Sequence, residues 1–253
     1  MQATGTYGQR GRLRTIETGI RLVAPTYGRA RIRTSSAKTG DILVDSQAER
    51  FITHLVAIDP CVNSCEPQPF TVDLVTRQLL TDPMQRLAAK SKYSKRKGSS
   101  LYTPDFCIRW SGPRRTALEI KTSAFPGDAE YQKKLALAGE VLSAYGYELA
   151  TVTLSEHMYP LKANLQLLQQ AHRTPAISLS PEQHDALSQL KNENLTLGDI
   201  CTHLGCPLHN VPRLLLQAVI GMNLFAYPMR ADTPTYLTHG DMTHLCLMQE
   251  VLS

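Results

Sequence analysis

The sequence predicts an α/β fold, in which a mixed β-sheet is flanked by helices and is followed by a smaller, mainly helical domain. The chain has 253 residues, which is more than one average domain and less than two. Its 42% hydrophobic and 19% charged residues exclude disorder as the main state. Helical patterns alternate with short strand patterns as far as residue 173, and after that point short helices dominate.

The charge of the chain is divided unevenly. Residues 1–174 contain 24 Lys and Arg against 15 Asp and Glu, whereas residues 175–253 contain 3 against 7. Basic blocks at residues 10–38 and 86–97 supply the excess. Such blocks are either solvated segments or contacts with a polyanion, for which nucleic acid is the expected partner. The candidate contacts with the DNA backbone are Arg29, Arg31, Arg33, Lys38, Lys90, Lys92, Lys95, Arg96 and Lys97.

The sequence also indicates where in the cell the protein is expected. No apolar run approaches the roughly 18–20 residues that span a bilayer, so no membrane contact is expected. The first residues lack the apolar core of a signal peptide, which favours a cytoplasmic protein whose six cysteines are reduced. Two cysteines and two histidines lie close together in the sequence and raise the question of a zinc site: Cys201, His203, Cys206 and His209. Leucines with helical spacing run through the same stretch, which favours packing of these residues in the core.

A basic arm precedes the first elements. Residues 1–40 are rich in Arg, Gly and Thr and only weakly periodic, and we predict a short strand at their end. Residues 46–58 carry a broad apolar face and are closed by Pro60, which predicts a helix. Residues 72–80 alternate between apolar and polar side chains and predict a strand. A mobile loop is predicted for the lysine-rich residues 90–100.

The next elements complete the predicted sheet. Residues 101–110 and 116–122 are expected to pair as strands joined by a Ser-Gly-Pro turn. Residues 129–145 predict a helix, and residues 148–154, rich in β-branched side chains, predict a strand. The order helix, strand, strand, strand, helix, strand predicts a mixed sheet within residues 41–173.

Residues 174–253 are predicted to form a winged helix-turn-helix domain, because three short helices precede extended pieces that can form a β-ribbon. Ser180 followed by Pro181 is a typical helix start. The predicted elements are helices from Pro181 and at residues 197–204 and 208–220, extended pieces at 224–227 and 235–237, and a last short helix within 239–252.

The third helix of this domain decides its predicted role. A helix that reads DNA bases presents Arg, Lys, Asn or Gln to the groove. Residues 208–220 offer Asn210, Arg213 and Gln217 among leucines, in a domain that is acidic overall. Protein contacts, or packing on the first domain, are therefore favoured over base reading.

Three charged side chains on neighbouring strands indicate chemistry. Asp105 follows Thr-Pro in the first strand of the predicted pair, and Glu119 and Lys121 lie two residues apart in the second. Because side chains alternate between the faces of a strand, Glu119 and Lys121 project to the same face. The hairpin is expected to bring Asp105 beside them, so that two carboxylates and one ammonium group converge.

A divalent cation explains why two carboxylates would lie together. Carboxylates repel each other and repel phosphate, whereas Mg²⁺ binds both through oxygen. The cation would bridge Asp105 and Glu119 to a phosphate oxygen and lower the pKa of the attacking water. Lys121 would orient this water and stabilise the transition state. These residues therefore predict hydrolysis of a phosphodiester; the alternative is a surface contact between Glu119 and Lys121 on an exposed strand pair.

The pattern Pro-Asp105, thirteen residues, Glu119-x-Lys121 resembles the PD-(D/E)xK nuclease superfamily, and the predicted order of elements resembles its restriction-endonuclease-like core. The resemblance implies a DNA endonuclease that uses Mg²⁺, for which Mn²⁺ can substitute. A Glu from the helix before the sheet often completes the metal site in this superfamily, which implies Glu49 as a third ligand. The spacing of Ser46 and Glu49 also fits a capping box at the helix start, and both interpretations stay open.

Further segments resemble the TnsA endonuclease subunits of heteromeric transposases, over roughly residues 25–160 and with a C-terminal winged helix. Some members of that family have Gln where Glu119 stands, and the lysine-rich segment before Tyr102 is longer and more basic than the family leads us to expect. The matching segments are Ser36-Ala37-Lys38-Thr39-Gly40, the helix with Glu49, Cys65-Glu66-Pro67-Gln68-Pro69, Tyr102-Thr103-Pro104-Asp105-Phe106 and Leu118-Glu119-Ile120-Lys121.

The resemblance implies a role in DNA transposition. TnsA-like proteins cut the 5′ ends of a mobile element, while a separate DDE-type recombinase cuts and joins the 3′ ends. An AAA+ regulator links them to the target, which implies three partners: double-stranded DNA at the transposon ends, the recombinase and the regulator. A cytoplasmic, nucleoid-associated location of prokaryotic type follows. Two alternatives remain, a stand-alone restriction or repair nuclease and a catalytically inactive DNA-associated adaptor.

Overall fold

The computed structural model describes residues 32–96, 98–123, 127–154, 158–190 and 193–252. Apart from its last two residues, the chain divides into two compact units. The first unit comprises the described residues before His54 and those of Val62–Leu154, and the second comprises His54–Cys61 and the described part of Ser155–Val251. Three candidate DNA contacts, Arg29, Arg31 and Lys97, lie outside the described residues. Every helix in the described part of the chain is too short or too polar to cross a lipid bilayer.

The chain up to residue 154 mixes helices and strands, which confirms the predicted α/β class. The predicted helix at residues 46–58 and the predicted strand at residues 148–154 are both present. The elements in chain order are β1 (Ile32–Ser36), β2 (Gly40–Val44), α1 (Gln47–Ile58), β3 (Val62–Pro67), β4 (Thr71–Asp73), β5 (Gln78–Leu80), α2 (Pro83–Lys92), β6 (Leu101–Tyr102), β7 (Phe106–Trp110), β8 (Arg115–Thr122), α3 (Ala129–Ala144) and β9 (Glu148–Leu154).

A four-stranded mixed sheet carries the candidate catalytic residues. Its strands follow the order β3-β7-β8-β9; β7 is antiparallel to both β3 and β8, and β9 is parallel to β8. Phe106 of β7 lies opposite Leu118 of β8, so the chain just before β7 lies beside Glu119. Helix α3 packs against residues of this sheet in one buried cluster, which includes Leu135, Ala138, Val141 and Leu142 of α3 together with Cys107 and Ala117.

The strand predicted at residues 72–80 is a hairpin in a separate sheet of order β5-β4-β6, so that prediction is wrong. The chain reverses because Asp73 Oδ1 accepts hydrogen bonds from the main-chain N–H groups of Val75, at 2.9 Å, and Thr76, at 3.0 Å. Arg77 completes the turn with a φ of 59°, in the left-handed region. The strand beside β7 at the edge of the main sheet is β3 and not this hairpin.

Part of the basic block at residues 86–97 is helical, which corrects the loop predicted from residue 90 onwards. Helix α2 begins at Pro83 because Asp82 Oδ1 accepts a hydrogen bond from the N–H group of Met84 at 2.6 Å. Arg86 of this helix is buried, and burial lowers the pKa of its guanidinium group. Its nitrogens donate to the main-chain carbonyls of Gln68, Pro69, Leu80 and Thr81. Arg86 therefore stabilises the fold and does not face a ligand.

The strand predicted at residues 101–110 is divided between the two sheets. Its first part, β6, pairs with β4, and its second part, β7, pairs with β3 and β8. Pro104 stands at the break, and a proline has no N–H group to donate to a ladder. The break places Asp105 at the point where the chain enters the main sheet.

The second unit is mainly helical and contains a two-stranded ribbon. Its helix α4 was not predicted, and the compact units change over after Leu154, earlier than the predicted boundary at residue 173. The elements are α4 (Tyr159–His172), α5 (Pro181–Ser188), α6 (Leu197–Leu204), α7 (Val211–Leu216), β10 (Ile220–Gly221), β11 (Tyr236–Leu237) and α8 (Leu247–Leu252), with a 3-10 turn at Leu208–Asn210 before α7 and another at Thr243–Leu245 before α8.

Two predicted boundaries in this unit are wrong. The helix predicted to reach residue 220 ends at Leu216, because Ala218 adopts a φ of 52° and Ile220 begins β10. The ribbon pairs Ile220 with Leu237, so its first strand is β10 and not the extended piece predicted at residues 224–227.

A disulfide bond joins Cys61 to Cys246 within the second unit. The expectation that all cysteines are reduced is therefore wrong. The pairing was not visible in the sequence because 185 residues separate the two positions. The nearest cysteine in the sequence, Cys65, is not the partner of Cys61, because its side chain is buried in the first unit.

Candidate active site

Asp105 is fixed by hydrogen bonds to the next strand. Its main-chain N–H group donates to the carbonyl of Leu118 at 2.9 Å, and its carboxylate oxygen Oδ2 accepts from the N–H group of Ile120 at 2.8 Å. The residue is 6% exposed. A main-chain N–H group that donates to a carboxylate restricts the torsions of that side chain. Asp105 is thus held against the segment that carries Glu119 and Lys121.

Glu119 and Lys121 form an ion pair on one face of β8. The distance from Lys121 Nζ to Glu119 Oε1 is 2.8 Å, and their side chains are 17% and 7% exposed, respectively. Leu118, whose carbonyl accepts from Asp105 and which directly precedes Glu119, is fully buried. The contact agrees with the predicted alternation, in which the two charged side chains share a face.

Two tyrosine phenols donate to the same carboxylate, and neither was predicted from the sequence. Tyr102 of β6 donates to Glu119 Oε2 at 3.0 Å, and Tyr131 of α3 donates to Oε1. Burial, followed by the charge and hydrogen bond of Glu119, raises the pKa of Tyr102 far above its ordinary value, and the charge of Asp105 acts in the same direction. Tyr102 therefore stays a protonated donor, and both carboxylates lie close enough to influence it.

Two ammonium groups lie over the rings of these tyrosines. Lys121 Nζ lies 3.9 Å from the centroid of the Tyr131 ring. Lys134 Nζ, one turn further along α3, lies 5.5 Å from the same centroid and 5.8 Å from that of Tyr102. Cations are attracted to the face of an aromatic ring at such distances. Lys134 is a functional candidate that the sequence reasoning missed, because its only signal is a position on α3.

Glu49 caps the helix that carries it. Its N–H group donates to Ser46 Oγ at 3.1 Å, Ser46 Oγ donates to Glu49 Oε1 at 3.0 Å, and Asp45 N–H donates to Oε2 at 3.0 Å. Among the described residues, Glu49, Asp105 and Glu119 do not bring three carboxylate oxygens within 4.8 Å of one another. The capping interpretation thus matches the contacts, and the role of Glu49 as a metal ligand stays a prediction.

The donor set fits magnesium. Asp105 and Glu119 offer hard carboxylate oxygens, and Mg²⁺ is commonly bound through one or two carboxylates with water and substrate phosphate completing its shell. The partners of Glu119 other than Lys121 are neutral phenols, so they offset the cost of burial without cancelling the carboxylate charge. With one ammonium group against two carboxylates, these three residues retain a formal charge that favours a cation.

Other groups that could hold a metal are explained by the fold. Asp59, Cys61 and Cys246 offer ligand atoms within 4.8 Å of one another. However, the two sulfurs are bonded to each other, and the oxygens of Asp59 accept N–H groups from Cys61, at 2.8 Å, and Met248, at 2.7 Å. Such a set does not resemble an oxygen site for Mg²⁺.

The cysteine and histidine cluster at residues 201–209 does not form a metal group among the described residues. Burial and the neighbouring Cys206 thiol raise the pKa of Cys201 to about 11. The Cys201 thiol is therefore protonated at neutral pH. Helix α6 ends at Leu204, and Ile200 and Leu204 are buried whereas Leu208 is exposed, so the predicted packing in the core is confirmed only for the first part of the segment.

The described candidates for DNA contact lie on two surfaces of the first unit. Arg33 of β1 is exposed and pairs with Asp41 across the hairpin, and Lys38 lies in the turn of that hairpin. The other surface contains exposed cations on and just after α2. Two of them lie near the Tyr93 ring, whose centroid lies 5.2 Å from Lys92 Nζ and 5.9 Å from the Arg96 guanidinium. The cations of this surface are Lys90, Lys92, Lys95 and Arg96, which we call the basic patch.

Comparison with known proteins adds no identification. The chain matches no family model, and no curated protein is a significant match.

Proposed function

We propose that this protein is a Mg²⁺-dependent DNA endonuclease that cuts the 5′ ends of a mobile element within a transposase complex. The observation that carries the proposal is that Asp105, just before β7, accepts a hydrogen bond from the main-chain N–H group of Ile120, which lies between Glu119 and its ion-pair partner Lys121 on β8. The mixed sheet around them, with three antiparallel strands and a parallel fourth, supports a restriction-endonuclease-like core. The link to transposition rests on the resemblance of the motif segments to TnsA.

The chain's own residues divide the work of hydrolysis. Asp105 and Glu119, and Glu49 if its cap opens, would hold the cation. When bound, Mg²⁺ supplies Lewis-acid polarisation of the scissile phosphate and of the attacking water. Lys121 places a positive charge beside the reacting phosphate, where negative charge increases in the transition state, and it can orient the water by hydrogen bonding. The near-complete burial of Asp105 and Glu119 strengthens each of these interactions.

The basic patch supplies a contact for the DNA backbone. Its four cations are exposed on one short segment of the first unit, which also carries the candidate site. Phosphate contacts of this kind position DNA without reading its sequence. Contacts with the DNA backbone are sufficient for an enzyme that partner proteins direct to its cutting site.

The second unit is proposed to be a winged helix-turn-helix domain that binds protein. Of the three side chains that could read bases, Asn210, Arg213 and Gln217, the last two form hydrogen bonds within the unit. Arg213 Nε donates to Thr174 Oγ1 at 2.8 Å, and Gln217 exchanges two hydrogen bonds with the main chain of Ile177, at 2.8 and 3.0 Å. The domain is therefore the proposed contact for the DDE-type recombinase or the AAA+ regulator.

The test is cleavage of a DNA end by the complex that this protein is proposed to form with a DDE-type recombinase. We expect Asp105→Asn, Glu119→Gln and Lys121→Ala each to lower the rate of 5′-strand cleavage at least about 100-fold, because each removes a charge that acts in the transition state. Glu148→Gln is the matched control, since Glu148 of β9 forms an exposed pair with Arg114. Undiminished 5′ cleavage by the three variants would refute the site.

Two other functions would give different results in the same assay. A stand-alone nuclease would cut DNA with Mg²⁺ in the absence of the recombinase and regulator. An inactive adaptor would support transposition equally well with Asp105→Asn. The intact set of two carboxylates and a lysine favours an enzyme over the adaptor.

A further inference from the structure

We infer that Tyr131 is a positioning residue that holds Glu119 and Lys121 in the arrangement required for binding the divalent cation. The inference rests on the proposed nuclease function and adds a residue that the motif does not contain. It starts from one geometric fact: Tyr131 contacts both members of the ion pair, Glu119 through its O–H group and Lys121 through the face of its ring.

The phenol determines where the Glu119 carboxylate lies. Oε1 accepts from Tyr131 and from Lys121, while Oε2 accepts from Tyr102. A glutamate has three side-chain torsions, and these contacts select one arrangement of them. A buried carboxylate without donors would also be costly to desolvate. Because phenols are neutral, they supply the hydrogen bonds and leave the charge available to a cation.

The ring of Tyr131 retains the ammonium group. A cation that binds Glu119 competes with Lys121 for the same carboxylate. The Tyr131 ring, whose centroid lies 3.9 Å from Lys121 Nζ, offers that ammonium group a second contact that does not depend on Glu119. Lys121 can therefore stay beside the site and turn towards a phosphate when the carboxylate is occupied by the cation.

Local structure fixes Tyr131 in turn. Its N–H group donates to Asp128 Oδ1 at 2.8 Å, which caps α3 one turn before the ring. Gly127 lies against the ring: a Cβ atom at that position would stand 2.9 Å from Tyr131 Cδ1, and Gly127 has a φ of 91°. Both the left-handed conformation and the close approach require glycine there.

The experiment compares three variants of the full chain. Tyr131→Phe keeps the ring over Lys121 and removes the donor to Glu119, whereas Tyr131→Leu removes both. Tyr145→Phe is the matched control, because Tyr145 caps the other end of α3 and its exposed hydroxyl donates a long hydrogen bond, at 3.4 Å, to the Arg77 carbonyl. Thermal unfolding followed by circular dichroism selects variants that fold as the wild type does.

The first measurement is binding of Mn²⁺ alone by titration calorimetry, without DNA. We expect Tyr131→Phe to weaken binding about 10-fold and Tyr131→Leu up to about 100-fold, the range found when a group that orients a metal ligand is removed. The second is cleavage in the assembled complex, where kcat should fall by similar factors while KM for DNA changes less than about twofold. Tyr145→Phe should match the wild type in both.

The outcomes separate this inference from the proposed function. If the wild type binds Mn²⁺ and cuts DNA and Tyr131→Phe equals it in both, Tyr131 has no positioning role, although the nuclease proposal stands. A Tyr131→Phe variant with unchanged Mn²⁺ affinity and a raised KM would also overturn the inference, because it would make Tyr131 a DNA contact. If the wild type neither binds Mn²⁺ nor cuts DNA, the proposed function itself is wrong.

Discussion

Removing the disulfide between Cys61 and Cys246 should destabilise the protein by an amount that its position in the chain determines. The bond closes a loop with a sequence separation of 185 residues. In the chain-entropy description, a cross-link over such a length lowers the free energy of folding by about 5 kcal/mol at 25 °C, through its restriction of the unfolded chain. Measured effects are commonly about 2–4 kcal/mol, because the unfolded chain keeps some structure.

The perturbation is Cys61→Ser, and separately the addition of dithiothreitol to the wild type. For a chain of this size we expect the melting temperature to fall by roughly 5–15 °C in both cases. Cys206→Ser is the control, because Cys206 is a free cysteine of the same unit. Thermal unfolding is followed by circular dichroism, and the melting temperature of the control should match that of the wild type.

A thiol count decides whether the reasoning holds. Unfolding in denaturant without reductant should release four reactive thiols, from Cys65, Cys107, Cys201 and Cys206, and reduction should raise the count to six. Six thiols before reduction, or a melting temperature that does not respond to dithiothreitol, would refute the entropic argument. In that case the hydrogen bonds that Asp59 accepts from the N–H groups of Cys61 and Met248 would hold these two segments together.

Three further predictions concern other parts of the chain. Arg86→Ala should lower the free energy of unfolding by about 3 kcal/mol, measured by urea denaturation, because it removes a charged donor from several buried carbonyls. Gln85→Ala, on the exposed side of the same helix, should leave that free energy unchanged. Burial lowers the pKa of His244, whose Nε2 contacts the Leu215 carbonyl, so the unfolded chain binds its proton more tightly than the folded one. The stability that neutral His244 permits is therefore complete above about pH 6.5 and is lost as the pH falls below it, and melts between about pH 7 and 5 should show a decline that His244→Gln reduces. Replacing the basic patch by alanines should weaken DNA binding and lower the slope of log K against log salt by at most about 0.9 per lost phosphate contact, whereas an unchanged slope would exclude that surface; the residues replaced are Lys90, Lys92, Lys95 and Arg96.

Elements set by local periodicity could be predicted, and those set by single contacts could not. The apolar face at residues 46–58 and the alternation around Glu119 are local patterns, and both appear as expected. The turn between β4 and β5 depends on the Asp73 carboxylate and on a left-handed arginine, Arg77, which no average propensity favours. The assignment of residues 101–110 to two sheets depends on partners far away in the sequence.

The same distinction applies to the candidate site. Asp105, Glu119 and Lys121 could be selected because their spacing forms a motif. Tyr102 and Tyr131 lie 17 and 12 residues from Glu119, and their hydroxyl groups reach it only because a second sheet and a helix bring them there. Helix α2 was missed for a different reason: the run of lysines suggested a loop, and the Asp-Pro start at residue 82 was overlooked.

The crossing at Thr103-Pro104-Asp105 makes the length of this stretch as important as its composition. Tyr102 is registered to Val72 in one sheet, and Phe106 is registered to Leu118 in the other. An inserted or deleted residue between them would therefore force one ladder to slip by one position, which turns every side chain of that strand to the opposite face. The phenol of Tyr102 and the carboxylate of Asp105 would then separate, so this tripeptide works as a spacer whose length is as important to the site as the identity of Asp105.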